Sequence, residues 1–131
     1  MMYSVLKRHN KSFLAAYIAV VLFIHVMHFG NVAAINKIEV LDVRLDYLLH
    51  ALVFMPWGVL VWLGFDINFR QATGKTFLWI LAGIVFASVA EYIQYYLPYR
   101  AFNINDVAGN VSGILLGSVV FFWEKPRGKD K

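Results

Sequence analysis

The sequence predicts an all-α integral membrane protein: one bundle of four transmembrane helices with both termini on the cytoplasmic side. Three observations carry this. The mean hydropathy is +0.62. Only 15% of the residues are charged while 60% are hydrophobic, against roughly 25% charged in ordinary soluble domains. The apolar residues also fall into four stretches, each close to the ~17–25 residues that a helix needs to cross the hydrocarbon. Four such spans use most of the 131 residues, so residues 1–131 read as one domain.

The first span runs from about Ser12 to Phe29, and Gly30 and Asn31 follow it. Its apolar run exceeds the ~7–15 residues of a signal peptide, so cleavage after Val32-Ala33-Ala34 is not expected. The second span runs from about Tyr47 to Phe65, the third from Thr76 to Leu97 and the fourth from Asn105 to Trp123. Thr73 and Gly74 precede the third span, and Pro98 follows it. Ser12, Asp42 and Asn103 suit helix N-caps, because a short polar side chain there can accept a bond from an otherwise unpaired N–H. Helices are expected because their backbone bonds close within the segment, which lipid demands.

Orientation follows from the basic residues. Lys7, Arg8, Lys11, Arg70, Lys75, Lys125, Arg127, Lys129 and Lys131 fall on one side of the four spans; Lys37, Arg44 and Arg100 fall on the other. The positive-inside rule puts the first group in the cytoplasm. Four spans independently require both tails to share a side. These basic residues lie in tails and short loops, so the net charge of +4 is no nucleic-acid signal. There is no cysteine, which removes disulfides and thiolate metal sites.

Polar residues collect at the outward end of three spans. Asp46 and His50 are four residues apart, on one helix face and about 6 Å apart along the axis. Asp46 also suits the positive end of a helix dipole. Such a pair fits acid–base chemistry, metal ligation or anion binding equally well. Glu91 and Gln94 share a face of the third span, with Glu91 about 9 Å below its end at Leu97. Glu91 is the deepest acidic group; it serves either a site or the cohesion of the bundle. Tyr92, Tyr95, Tyr96 and Tyr99 around it read as an interfacial aromatic belt. Arg100, on the short connection between the last two spans, is placed to pair with these acids or to grip an anionic head group bidentately. Asp106 opens the fourth span, as a capping residue with Asn103 or as part of the site, and Asn110 lies one turn deeper. Gly113 and Gly117 continue the line as a small-xxx-small stripe that lets helix backbones approach closely. His25 and His28, near the outer end of the first span, are expected to reach the interface rather than the site.

Here the residues resemble a known family. The run Glu91-Tyr92-Ile93-Gln94, followed by Pro98, Arg100, Phe102, Asp106, Asn110, Gly113 and Gly117, is similar to the signature of VanZ-like membrane proteins. The Asp46–His50 spacing resembles an earlier motif of that family, in which a Lys usually follows the Asp; here Tyr47 stands in its place. The resemblance covers about Arg44 to Gly117. It implies a small bacterial integral membrane protein, multi-pass in the cytoplasmic membrane. It also implies a setting in the cell envelope, since the namesake is associated with resistance to the glycopeptide antibiotic teicoplanin.

The expected function is therefore an outward-facing polar pocket that recognises an envelope component, such as a lipid-linked precursor, or a lipoglycopeptide. Asp46, His50, Glu91, Gln94, Arg100, Asp106 and Asn110 are its candidate residues, and the lipid bilayer is its surrounding partner. One alternative is a membrane-embedded enzyme, with one His and three acids binding a divalent cation or running acid–base chemistry on a lipid-linked substrate. No nucleophile elbow, HExxH pair or P-loop is present; no catalytic residue, cofactor or metal site is assigned on spacing alone. Another alternative is a structural protein whose polar groups satisfy one another.

Overall fold

The computed structural model describes residues 9–27, 38–40, 43–65 and 74–122. Helix α1 covers Asn10–Val26. Two short strands, β1 (Glu39–Val40) and β2 (Val43–Arg44), pair antiparallel with Glu39 opposite Arg44. Helices α2 (Leu45–Phe54), α3 (Pro56–Phe65), α4 (Gly74–Gln94) and α5 (Ile104–Phe122) follow. His28, Gly30, Asn31, Val32-Ala33-Ala34, Lys37, Asp42, the 66–73 connection, and the basic residues of both tails except Lys11 lie outside the described residues.

Ser12 does not cap the first helix. His9 holds the N-cap position, without a side-chain bond, and the backbone is closed by Phe13 N–H donating to the His9 carbonyl at 3.0 Å. The second helix starts from the β-ribbon, a feature the apolar pattern could not announce. Arg44 is its N-cap residue, and the Leu45 N–H donates to the Ile38 carbonyl at 2.8 Å. The ribbon backbone thus takes up a donor that a capping side chain would otherwise have to serve.

The second span is two helical segments. Pro56 has no N–H to return to the preceding turn, so the ladder breaks there. Met55 keeps helical dihedrals (φ −57°, ψ −38°) and its N–H still reaches the Ala51 carbonyl at 3.0 Å. Beside the break, the Tyr17 hydroxyl donates to the Val53 carbonyl at 2.9 Å. Helix α4 ends at Gln94, three residues short of Leu97. Tyr95, Tyr96 and Leu97 donate instead to Tyr92, Ile93 and Gln94, each at 3.1 Å, a tightened last turn common at helix C-termini. Asn103 caps α5 as its position predicted: its side-chain oxygen accepts from the Asn105 N–H at 3.1 Å.

Helices α2 and α5 run parallel and make the most extensive contact of the bundle. Their approach is set by glycine. A Cβ on Gly113 would collide with the Ala51 carbonyl, and one on Gly117 with the Met55 carbonyl. Such close backbone contact is the established use of small-residue stripes in membrane helices. The stripe begins one turn earlier than the sequence pattern suggested, at Gly109, whose Cβ would lie 2.9 Å from the Tyr47 carbonyl. Tyr47, Ala51 and Met55 therefore meet Gly109, Gly113 and Gly117 turn by turn.

Around this pair the core is apolar: Val21 from α1, Phe54, Trp57 and Val61 from the bent helix, Ala87 and Ala90 from α4, and Ile114 from α5 are all buried. The Trp57 indole N–H donates to the Trp79 carbonyl at 3.0 Å, so the large ring enters the core with its polar atom satisfied. The exterior is apolar as well. Phe23, Leu52, Phe77, Leu78, Val85 and Val119 are each more than half exposed, a surface that suits lipid rather than water. Two helical stretches, Leu45–Trp62 across α2 and α3 and Gly74–Gln94 in α4, are long and apolar enough to cross a membrane, at 18 and 21 residues; α1 is a shorter apolar helix.

Candidate functional site

The polar residues gather where α1 and α4 end and α2 and α5 begin. Asp46 and Asp106 both stand in the first turn of their helices, where the exposed N–H groups favour a carboxylate. The parallel packing of α2 on α5 then brings these two helix starts side by side, with His50 between the carboxylates. Its Nε2 lies 3.7 Å from Asp46 Oδ1 and 3.8 Å from Asp106 Oδ2. The other ring nitrogen, Nδ1, is 2.9 Å from Asn110 Oδ1. With the amide oxygen facing the ring, Nδ1 carries the proton and donates it to Asn110.

Each carboxylate is held from behind. Arg44 Nη2 donates to Asp46 Oδ2 at 3.1 Å, and Asn103 Nδ2 donates to Asp106 Oδ1 at 3.0 Å. Asp106 thus both completes the capping arrangement and faces the site. The Arg44 guanidinium also lies over the Tyr47 ring, 4.6 Å from its centroid, and donates to its hydroxyl at 2.9 Å. In the sequence, Arg44 bears only on topology. The signal was available: Arg44 is two residues before Asp46, and extended backbone leading into a helix can fold such a side chain back over the first turn.

Glu91 is fully buried. Gln94 Nε2 approaches its Oε2 at 3.4 Å, while Oε1 has no hydrogen-bond partner. His25 joins the same cluster, which corrects the expectation that it would reach the interface. It is 4% exposed, edge-on to the rings of His50 and Phe54 at centroid distances of 5.7 and 5.6 Å. Its Nδ1 donates to the Val21 carbonyl at 2.8 Å, and its Nε2 is buried without a partner. Spacing along one helix could not reveal this, because the residues His25 meets come from α2. One ring nitrogen each from His25 and His50 and one oxygen of Glu91 lie within 4.8 Å of one another, as do the ligand atoms of Asp46, His50 and Asp106.

Arg100 goes elsewhere than expected. Its Nη2 donates to the Met27 carbonyl at 3.1 Å, and the neighbouring Tyr99 hydroxyl donates to the Val26 carbonyl at 2.8 Å. The loop thereby serves carbonyls that the end of α1 leaves open, where a cation also meets the negative end of the helix dipole. Among the described residues no ion pair joins Arg100 to Glu91 or Asp106. The structure thus brings Asp46, His50, Asp106 and Asn110 into one cluster, sets Glu91 and Gln94 against its inner side, and leaves Arg100 at the rim.

At the same end, an apolar groove of about 450 Å³ runs between α4 and α5, lined by Ile84, Val85, Ser88, Val89, Tyr92, Phe102, Ile104 and Val107. Tyr92 belongs to an exposed set of three tyrosines with Tyr95 and Tyr96, whose ring centroids lie 5.5–6.1 Å apart. Tyrosines in this position fit an interfacial belt.

No curated protein matches the chain, and no solved structure does. The family model VanZ/LLP1 matches residues 2–124. The match reaches well beyond the motifs of residues 44–117 and takes in the first helix, which supplies His25. With the apolar, membrane-length helices and the Asp46–His50–Asp106–Asn110 cluster, it makes the chain a membrane protein that belongs to the VanZ/LLP1 family.

Proposed function

We propose that this chain is a multi-pass protein of the bacterial cytoplasmic membrane that recognises the polar head of an envelope component through the cluster around His50. In this reading four helical rods span the bilayer, both termini are cytoplasmic, and the cluster faces outward. The positive-inside distribution of Lys and Arg supports that orientation.

One observation carries the reading. Glu91 Oε1, Asn110 Nδ2 and His25 Nε2 are buried and have no hydrogen-bond partner. A polar core that merely glued helices together would be expected to close its bonds, because each open group costs roughly 1–3 kcal/mol. Open groups around a fixed Asp–His–Asp arrangement suit a site that completes its bonds on a ligand. Arg44 and Arg100 supply cations at the rim for an anionic head group. The groove between α4 and α5 supports a lipid-linked ligand, since its apolar walls suit an acyl or prenyl chain.

Binding of a polyprenyl-linked pyrophosphate to the protein in nanodiscs tests this, read by tryptophan fluorescence or native mass spectrometry. Saturable binding that weakens at least tenfold in Asp106→Asn is expected. Equal binding by wild type and variant would overturn the reading. The link to glycopeptides is tested separately, by whether expression of the chain raises the inhibitory concentration of teicoplanin and whether Asp106→Asn abolishes that effect.

A further inference from the structure

We propose that the cluster at the head of α2 and α5 is a divalent-metal site, with Asp46, His50 and Asp106 as ligands and with the unpartnered atoms of Glu91 and His25 bordering it through His50. The proposal deepens the reading above only in supplying an anchor for an anionic head group; the metal site itself stands on geometry.

Three atoms face one another: Asp46 Oδ1, His50 Nε2 and Asp106 Oδ2. The separations of 3.7 and 3.8 Å from the ring nitrogen are too long for hydrogen bonds. They are a few tenths of an ångström above the ~3.4 Å between donors around a tetrahedral zinc with bonds of about 2.0–2.1 Å. Two carboxylates near an imidazole nitrogen, none bonded to it, leave a gap that a small cation fits.

The atom behind each donor is already engaged. His50 Nδ1 donates to Asn110 Oδ1, Asp46 Oδ2 accepts from Arg44, and Asp106 Oδ1 accepts from Asn103. Ligating imidazoles and carboxylates are oriented in this way by outer partners, which also leaves the imidazole lone pair on Nε2. A second, independent observation comes from the inner side. Glu91 is 0% and His25 4% exposed. Glu91 Oε1 and His25 Nε2 have no partner, and a ligand atom of each residue lies within 4.8 Å of one on His50. The Val21 carbonyl holds the proton of His25 on Nδ1, so the buried Nε2 presents a lone pair.

Charge agrees. Three carboxyl groups converge here, and among the described residues only Arg44 forms a Lys or Arg ion pair with any of them. A dication offsets the excess in a medium where uncompensated charge is costly. The mixed nitrogen and oxygen donors, with no thiolate, suit a first-row divalent ion such as zinc.

The test uses the full-length protein in detergent, stripped with EDTA and titrated calorimetrically with zinc chloride. Substitution of cobalt(II) gives a visible absorption spectrum that reports nitrogen and oxygen ligation. The expected result is one high-affinity ion per chain, with ligand-field bands in the cobalt form. Asn110→Ala, which removes an outer partner only, should weaken binding roughly 10- to 100-fold. Asp46→Asn with Asp106→Asn should abolish it, and Glu39→Gln, on the exposed ribbon, should leave it unchanged. Folded wild type without saturable zinc binding, or with a cobalt spectrum equal to that of free aqueous ion, would overturn the proposal. So would equal affinity in wild type and the double variant. The probe is the metal alone, so the outcome is independent of whether a head group binds.

Discussion

His50 and Asn110 stand sixty residues apart and meet at 2.9 Å across the α2–α5 contact, imidazole Nδ1 to amide Oδ1. This bond sets which ring nitrogen faces the two aspartates. It also ties the polar cluster to the glycine stripe, since Asn110 follows Gly109 and lies one turn before Gly113 and Ile114.

Asn110→Ala removes the acceptor for a half-buried imidazole N–H. The expected loss of stability is about 1–2 kcal/mol, the range for stranding a partly buried polar group. Thermal unfolding in detergent, compared with wild type, measures it. A melting profile identical to wild type would mean that the bond is replaced by water or never contributed.

The glycine stripe predicts a sharp contrast. Gly113→Ala puts a methyl group into the Ala51 carbonyl, a backbone atom that cannot swing aside. A cost of about 1–3 kcal/mol follows from overpacking, and Gly113→Leu should be worse. Gly74→Ala meets nothing within 4 Å and should leave stability unchanged or slightly raised. Equal melting temperatures for the two alanine variants would remove the close α2–α5 approach.

Coupling between charged groups should follow contact in space. His50→Ala with Asp106→Ala is expected to deviate from additivity by more than about 0.5 kcal/mol, as residues in one network do. Glu91→Gln with Arg100→Gln should come closer to additive, because Arg100 is directed to the Met27 carbonyl. Stronger coupling in the second pair than in the first would show that Arg100 swings over the acids in the working protein.

Topology is open to single-cysteine labelling, which is clean because the chain has no cysteine. Glu39 and Lys75 are exposed and sit at opposite ends of the bundle. An impermeant maleimide should label Glu39→Cys in intact spheroplasts and Lys75→Cys only after lysis. The reverse pattern would invert the orientation and turn the His50 cluster toward the cytoplasm.

Helical class, the α5 boundary and its Asn103 cap were legible in the sequence, because they depend on local hydropathy and on one side chain reaching its own backbone. The presence of Asp46, His50, Glu91, Gln94, Asp106 and Asn110 at one level was legible too, since helix rise converts residue number into depth. Three further matters were decided only by the tertiary structure. His25 is a cluster residue because α1 packs against the helices that carry His50 and Glu91, and no spacing within α1 encodes that. Arg44 rather than Arg100 pairs with an aspartate, because the β-ribbon turns Arg44 over the start of α2 while the 97–103 loop lies across the end of α1. Finally, the distance between the two aspartates depends on how closely α2 approaches α5. Glycines at 109, 113 and 117 permit that approach, but only the carbonyls of Tyr47, Ala51 and Met55 on the facing helix convert permission into contact.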